Sequence, residues 1–119
     1  MARDAPSIDA FGGGGFRVSG IRHEGSLLIV SDQAGPWPVA ALADLTPEAL
    51  QSVIAAGRAE VEFLLLGVGA RNAQPPRAIR DSLLAVGIGL EFMDTAAAAR
   101  LYNVLTSEGR RIAAALIAI

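Results

Sequence analysis

Two glycines and a distant aspartate are the residues whose types and spacing could bind a nucleotide. Gly67 and Gly69 end the apolar stretch 61–69, and Asp94 ends the next predicted strand. A glycine turn lets backbone amides hold a phosphate, and an acid after the second strand can bind ribose hydroxyls. The order of strand, glycine turn, helix, strand and acid therefore makes a small-molecule or nucleotide-binding enzyme one hypothesis.

Three details count against this hypothesis. The third glycine of the dinucleotide fingerprint is replaced by Asn72. The following helix is predicted to begin only near Pro76, and this delay moves its positive end away from the glycine turn. A tight turn at the end of a central strand explains both glycines more simply.

Other kinds of catalytic site lack essential residues. His23 is the single histidine and falls near a predicted hairpin, and no serine lies in a Gly-x-Ser-x-Gly elbow. With one histidine and no cysteine, only carboxylates remain as metal ligands. Glu91 and Asp94 are three residues apart in a strand, which directs them to opposite faces. We therefore predict no catalytic residues, no metal site and no cofactor, and we expect a non-enzyme more than an enzyme.

The composition is that of one soluble domain. A chain of 119 residues forms a single domain, 1–119, in which residues 1–7 are expected to be disordered. The ten basic residues are all arginines spread along the chain, so we predict no nucleic-acid partner. No export signal and no apolar run near the ~18 to 20 residues of a membrane span is present. We expect a cytoplasmic, bacterial-type protein whose high apolar content forms an interface with a partner or a second copy.

The hydrophobic pattern predicts an α/β fold. The stretch 61–69 is nearly continuous in apolar residues and too short for a helix, which is typical of a strand buried on both faces. A helix begins with Thr46 as its N-cap and ends before Gly57. The other predicted elements are a short strand 8–11 before four glycines, strands over 16–23 and 26–30 joined by a hairpin turn at Glu24 and Gly25, a helix 75–86 that ends at Gly87, a strand 88–93, a helix 95–108 and a last strand within 110–119.

Trp37 lies in a segment, 33–38, that breaks this pattern and is predicted as a loop. It is held between two prolines. A tryptophan buries much area for little entropy, so it is either an anchor for a partner or a lid folded onto its own domain.

Longer motifs resemble a known family over nearly the whole chain. They are L-L-L-G-V-G over 64–69, P-P-R-A-I-R over 75–80, G-I-G-L-E-F-M-D-T over 87–95 and L-Y-N-V-L-T-S-E-G-R-R-I-A-A-A-L-I over 101–117. The chain resembles the Mth938-type domains, a family of largely unknown function. Its relatives include a mitochondrial complex I assembly factor and an adipogenesis-associated protein. Leu101 and Ala99 depart from the family pattern, where a threonine and a cysteine are expected.

The resemblance implies a three-layer β+α/β/α fold with a mixed central sheet of about five strands. The last strand would lie in the middle of the sheet, antiparallel to its neighbours. The resemblance also implies no established catalytic activity, and the relatives with known roles act through protein partners.

We therefore predict a non-enzymatic protein-interaction domain linked to assembly of a respiratory complex, with the nucleotide-binding enzyme as the alternative. Trp37 is an additional candidate anchor for a partner, with the lid as its alternative. Four of the expected site residues have a structural alternative, in which Asp94 or Thr95 caps the last helix and a polar bridge that includes Tyr102 and Asn103 locks this helix to the sheet. The expected surface or ligand site, at the carboxyl edge of the sheet, consists of Gly67, Gly69, Asp94, Thr95, Tyr102, Asn103, Glu108 and Arg110.

Overall fold

A computed structural model describes residues 5–119 of the chain. Disorder was predicted for residues 1–7, of which residues 1–4 lie outside the described range. Within the described part, the Ser7 amide donates a hydrogen bond to Ser19 Oγ at 3.2 Å. The elements are β1 (Ile8–Gly12), β2 (Gly15–Val18), β3 (Ile21–Glu24), β4 (Ser26–Val30), β5 (Gln33–Trp37), α1 (Gln51–Glu60), β6 (Phe63–Gly67), α2 (Arg77–Leu84), β7 (Gly89–Met93), α3 (Thr95–Ser107) and β8 (Ile112–Leu116).

The central sheet has five strands in the order β5-β4-β8-β6-β7. It is mixed, and β8 lies in its middle, which confirms the predicted α/β architecture. β8 is antiparallel to β4 but parallel to β6, so the prediction that it is antiparallel to both neighbours is wrong. The reason is the connection: α3 carries the chain back across the sheet, and a helical crossover joins strands that run in the same direction.

Alternating side chains of the middle strands fill two separate cores. On β6, Leu64 and Leu66 face the core that contains α1 and α2. Leu65 faces the other core, which is formed by α3 and the small antiparallel sheet β1-β2-β3. All three leucines are fully buried. The continuous apolar run of β6 is therefore required by burial on both faces, and the three layers match the predicted order.

The segment 33–38, predicted as a loop, is largely the edge strand β5, so that prediction is wrong. β5 pairs antiparallel with β4, from the pair of Val30 and Gln33 to the pair of Ser26 and Trp37. Pro36 is tolerated because β5 is an outer strand, where a missing amide hydrogen can face away from the sheet. The glycine and the two prolines of this segment weaken the local signal, and pairing with β4 overrides it.

The region before α1 also differs from its prediction. Thr46 makes no capping hydrogen bond with its side chain, and residues Pro47–Leu50 form a 3-10 turn before α1 begins. Gly57 has φ 74° and ψ 176°, which are not helical values, so α1 consists of two helical segments separated by a kink, and the first segment ends at Gly57 as predicted. At the end of α2, Gly87 has φ 77° and likewise terminates the helix as predicted.

The glycine run 12–15 forms the tight turn between β1 and β2. Gly13 and Gly14 have φ values of 62° and 81°, in the left-handed region that favours glycine. Glu24 and Gly25, predicted as a hairpin turn, instead lead from β3 in the small sheet to β4 in the central sheet.

Candidate functional site

Thr95 joins three elements at the carboxyl edge of the central sheet. Its hydroxyl accepts a hydrogen bond from the Gly69 amide at 3.0 Å and donates one to the Ile117 carbonyl at 2.7 Å. The Thr95 amide donates to the Gly69 carbonyl at 2.8 Å. Thr95 is fully buried. This residue therefore connects the turn after β6, the first turn of α3 and the end of β8.

Gly67 permits the close packing of α3 against this edge. A Cβ atom at this position would lie 3.0 Å from the Thr95 Cα atom and 2.9 Å from Leu116 Cδ2. Cβ atoms do not approach other heavy atoms this closely without a shift of the surroundings. Gly67 is thus explained by packing between strand and helix.

The turn from 67 to 69 has its central amides engaged within the chain. The Val68 amide donates to the Met93 carbonyl at 2.9 Å, and the Gly69 amide donates to Thr95 Oγ1. A phosphate-binding turn needs such amides to point at the ligand. The next helix, α2, begins only at Arg77. The geometry that the nucleotide hypothesis requires is not present at this turn.

Asp94 caps α3. Its Oδ1 atom accepts a hydrogen bond from the Ala97 amide at 2.9 Å. This bond satisfies one of the amides that the first turn of a helix leaves without a partner, and the negative charge lies at the positive end of the helix dipole. The predicted capping role of Asp94 is confirmed.

Replacing Asp94 with alanine removes the cap, and we expect the free energy of unfolding to fall by about 0.5 to 2 kcal/mol. Asp94→Asn keeps a capping oxygen and serves as the matched control, with a smaller loss. Urea unfolding followed by circular dichroism measures both values. An alanine variant as stable as the wild type would show that the cap contributes nothing to folding.

Asn103 forms a polar bridge between α3 and β1. Its Oδ1 atom accepts a hydrogen bond from the Ile8 amide at 2.9 Å, and its Nδ2 atom donates to the Ile8 carbonyl at 2.8 Å. The side chain thereby replaces a strand partner at the beginning of β1. Its neighbour in the chain, Tyr102, is fully buried in the core between α3 and the sheets. Both residues thus contact the rest of the domain.

Glu108 and Arg110 lie at the opposite end of α3. The 13 residues of α3 span about 20 Å, so its two ends reach opposite edges of the sheet. Arg110 Nε is 3.3 Å from Glu62 Oε1, and the guanidinium lies 5.5 Å from the centre of the Phe63 ring. Glu108 follows the last turn of the helix. The eight predicted site residues therefore do not form one site.

The structure instead presents an open cleft at the amino edge of β6 and β8, which we name the arginine cleft. Its volume is about 720 Å³. The two strands are parallel and begin at the same edge, which brings residues near 62 and 110 together. The lining residues are Arg58, Glu62, Phe63, Leu84, Gly87, Ile88, Gly89, Arg110 and Arg111.

Of the residues that line this cleft, the site predicted from the sequence included only Arg110. The sequence pattern indicates a solvated strand end for Glu62 and an exposed helix residue for Arg58. The available signal is the pair Arg110–Arg111 directly before a central strand. It places these residues beside the start of β6 only because β6 and β8 are parallel, which the sequence did not predict. Arg58 joins the group only because α1 ends beside the turn at Gly87.

Positive charge predominates in the arginine cleft. The pKa of the Glu62 carboxyl lies below its usual value, mainly because the Arg111 backbone amide donates to it at 3.0 Å. The charge and hydrogen bond of Arg110 lower this pKa further, whereas partial burial opposes the shift. Glu62 is therefore ionised at neutral pH, and three guanidinium groups share the cleft with one carboxylate.

Trp37 is not presented to a partner. Its exposed fraction is 4%, and its indole Nε1 donates to the Ala49 carbonyl at 2.8 Å. The side chain packs in the core with α1 and α2. Trp37 is therefore folded onto its own domain, as in the lid alternative, and we do not retain it as an anchor for a partner.

Two further findings concern the described part of the chain, 5–119. None of the helices in this range combines the length and the hydrophobicity that a membrane-spanning helix requires. Within the same residues, no group of three or more histidine, cysteine, aspartate or glutamate side chains is placed to hold a metal ion.

Sequence relatives identify the family. The family described as "Protein of unknown function (DUF498/DUF598)" matches residues 8–117. An uncharacterized protein of Rhodobacter capsulatus is 44% identical over 110 residues, which cover 92% of this chain and 82% of that protein. NADH dehydrogenase (ubiquinone) 1 alpha subcomplex assembly factor 3 of Danio rerio is 33% identical over 103 residues, which cover 87% of this chain and 59% of that protein.

Solved structures give the same result. A protein from Bartonella henselae, described as an outer membrane protein, has a TM-score of 0.90 at 31% identity, with 99% of this chain and 98% of that chain covered. A Bordetella pertussis protein described as a Mth938-like domain has a TM-score of 0.78 at 34% identity, with 94% and 85% covered. The chain therefore belongs to the DUF498/DUF598 family, and its domain is of the Mth938 type.

Proposed function

We propose that this chain is a protein-interaction domain that assists the assembly of a respiratory complex. The observation that supports this most directly is the 33% identity with an assembly factor of NADH dehydrogenase over 87% of the chain. The chain spans about three fifths of that relative, 59% of its length, so the proposal extends to a role in assembly and not to the same partners.

The geometry supports a binding role over a catalytic one. At the carboxyl edge, the hydroxyl of Thr95 and the amide of Asn103 bond to backbone groups of the chain itself, and Asp94 caps its own helix. Groups engaged in this way stabilise the fold, because their hydrogen bonds are used within the chain. The arginine cleft offers charge and apolar area, which are features of recognition.

We place this activity in the cytoplasm, with one or more protein partners. Self-association is part of the same proposal, because four large apolar side chains are exposed on the described surface. They are Ile21, Leu84, Val86 and Val104. Sedimentation of the purified chain over a range of concentrations measures whether two copies associate.

Deletion of the gene in its own organism tests the assembly role. We expect less fully assembled NADH dehydrogenase and an accumulation of partial complexes, because an assembly factor stabilises intermediates that otherwise expose unpaired interfaces. Native gel electrophoresis with an activity stain measures both species. Re-expression of the chain restores the assembled form, and succinate dehydrogenase serves as the control complex. Unchanged amounts of assembled NADH dehydrogenase in the deletion strain would contradict the proposal.

A further inference from the structure

We propose that the arginine cleft binds an acidic, extended segment of a partner protein. This inference rests on the proposed function, since it names the kind of partner surface that the domain recognises. It concerns the amino edge of the sheet, whereas the site predicted from the sequence lay at the carboxyl edge. Three features of the cleft support it: its charges, its apolar floor and the strand at its border.

The charges of the cleft are not neutralised within the described part of the chain. Among residues 5–119, the side chains of Arg58 and Arg111 form no ion pair, and the two side chains are accessible at the cleft. Arg110 shares the single carboxylate of the cleft, Glu62, whose other oxygen is held by a backbone amide. An acidic ligand would supply the missing negative charge, and planar guanidinium groups bind carboxylates through paired hydrogen bonds.

The apolar floor of the cleft is formed by Leu84 and Phe63. Leu84 is 59% exposed, and Phe63 is half-buried. Such a surface gains free energy from contact with apolar side chains and offers nothing to a small hydrated anion. The occupant that matches both features is a polypeptide in which acidic and apolar residues are interspersed.

An unpaired strand edge borders the same cleft. β7 is the last strand in the sheet order, so within the described residues no further strand pairs with its outer side. Gly89, its first residue, lines the cleft. An extended peptide can add to such an edge through main-chain hydrogen bonds, while its alternate side chains point to one face. This geometry favours an extended segment over a helix.

Two observations disfavour a nucleic acid as the occupant. The net charge of the chain is −2, and its arginines are spread along the sequence instead of clustering in a basic stretch. The aromatic and aliphatic floor of the cleft is apolar, and a phosphate backbone would have to lie across it. A segment of protein satisfies both the guanidinium groups and the carbon surface.

Titration of the ¹⁵N-labelled chain with a short synthetic peptide tests this proposal. In the probe, glutamates alternate with leucines, so that a strand presents all carboxylates on one face. We expect the amide signals of Gly87, Gly89 and Arg111 to shift in a saturable manner. A peptide with glutamine in place of glutamate should bind about tenfold more weakly, because the charge pairs are lost.

The test variant combines Arg58→Gln with Arg111→Gln. The matched control variant combines Arg77→Gln with Arg80→Gln. Both remove two positive charges from the surface, and their amide spectra verify that the fold is kept. The second pair lines a separate cleft of about 150 Å³. We expect the first pair to weaken peptide binding about tenfold and the second to leave it unchanged.

Four results would overturn the proposal. They are the absence of a saturable shift, shifts that map away from the cleft, equal loss in both double variants, and the same shifts with inorganic phosphate at equal concentration. The last result would identify a small-anion site. If peptide binding depends on Arg58 and Arg111 but the deletion strain has normal NADH dehydrogenase, the cleft is a peptide-binding site and the assembly role is rejected. If the deletion strain lacks assembled NADH dehydrogenase but the cleft binds no peptide, the assembly role is kept and the proposed binding site is rejected.

Discussion

Thr95→Val is expected to lower the free energy of unfolding by about 2 to 4 kcal/mol, a greater loss than that expected from removing the Asp94 cap. Valine has nearly the same shape as threonine, but it can neither accept from the Gly69 amide nor donate to the Ile117 carbonyl. Thr95 is fully buried, so water does not replace these bonds at its position. Each buried polar group that loses its partner costs about 1 to 3 kcal/mol.

Thr95→Ser is the matched control, because serine keeps the hydroxyl and loses only a methyl group. Urea unfolding followed by circular dichroism gives the free energy for all three proteins, and the thermal midpoint of the valine variant should fall by roughly 10 °C. A valine variant as stable as the wild type would show that the two hydrogen bonds of the hydroxyl do not stabilise the fold, whatever the serine variant loses with its methyl group.

Gly67→Ala is expected to lower the free energy of unfolding by about 1 to 3 kcal/mol, because the added methyl group overpacks the contact between β6 and α3. The new Cβ atom would lie 3.0 Å from the Thr95 Cα atom, which belongs to the backbone and cannot rotate away. Leu116 can adjust its side chain, but α3 must move outward to relieve the remaining contact.

Gly35→Ala provides the control for this substitution. Gly35 lies in β5, has no positive φ, and would place its Cβ atom with nothing within 4 Å. We expect no loss of stability or a gain of about 0.4 to 1 kcal/mol from the reduced freedom of the unfolded chain. Equal stability of the Gly67 variant and the wild type in urea unfolding would show that the strand and helix are not in close contact.

These two substitutions separate stability from recognition. Thr95 and Gly67 lie at the carboxyl edge, where their contacts are internal, whereas Arg58 and Arg111 line the cleft at the other edge. A variant of the first kind changes the amount of folded protein, and a variant of the second kind changes what the folded protein binds. The arginine cleft is therefore the better place to look for a partner.

The parts of the fold that were predictable from the sequence are those with strong local patterns. The apolar run of β6, the apolar run of β8 and the Asp94 cap each occur within a few residues, and each takes the expected structure. β5 was missed because its glycine and proline have low strand propensity, and its stability comes from pairing with β4. The direction of β8 relative to β6 was missed because strand direction depends on the crossover.

The candidate site shows the same division. Besides Gly67 and Gly69, the predicted site consisted of residues in the last helix or next to its ends, and the sequence could not specify which of them face inward. The structure directs Thr95, Tyr102 and Asn103 to internal contacts and leaves Arg110 at the cleft. Side-chain identity alone does not distinguish a polar group that bonds to the backbone of its own chain from one that faces a ligand.

By itself the sequence determined the α/β class, the buried central strand that ends at Gly67 and Gly69, and the cap of the last helix, because these depend on short-range periodicity and propensity. Only the tertiary structure decided the role of Gly67, since its close approach to Thr95 needs α3 to pack across the strand. It also decided the position of the arginine cleft. Arg58, Glu62 and Arg110 do not adjoin in the sequence, and they meet because α1 ends beside two parallel strands that begin at one edge.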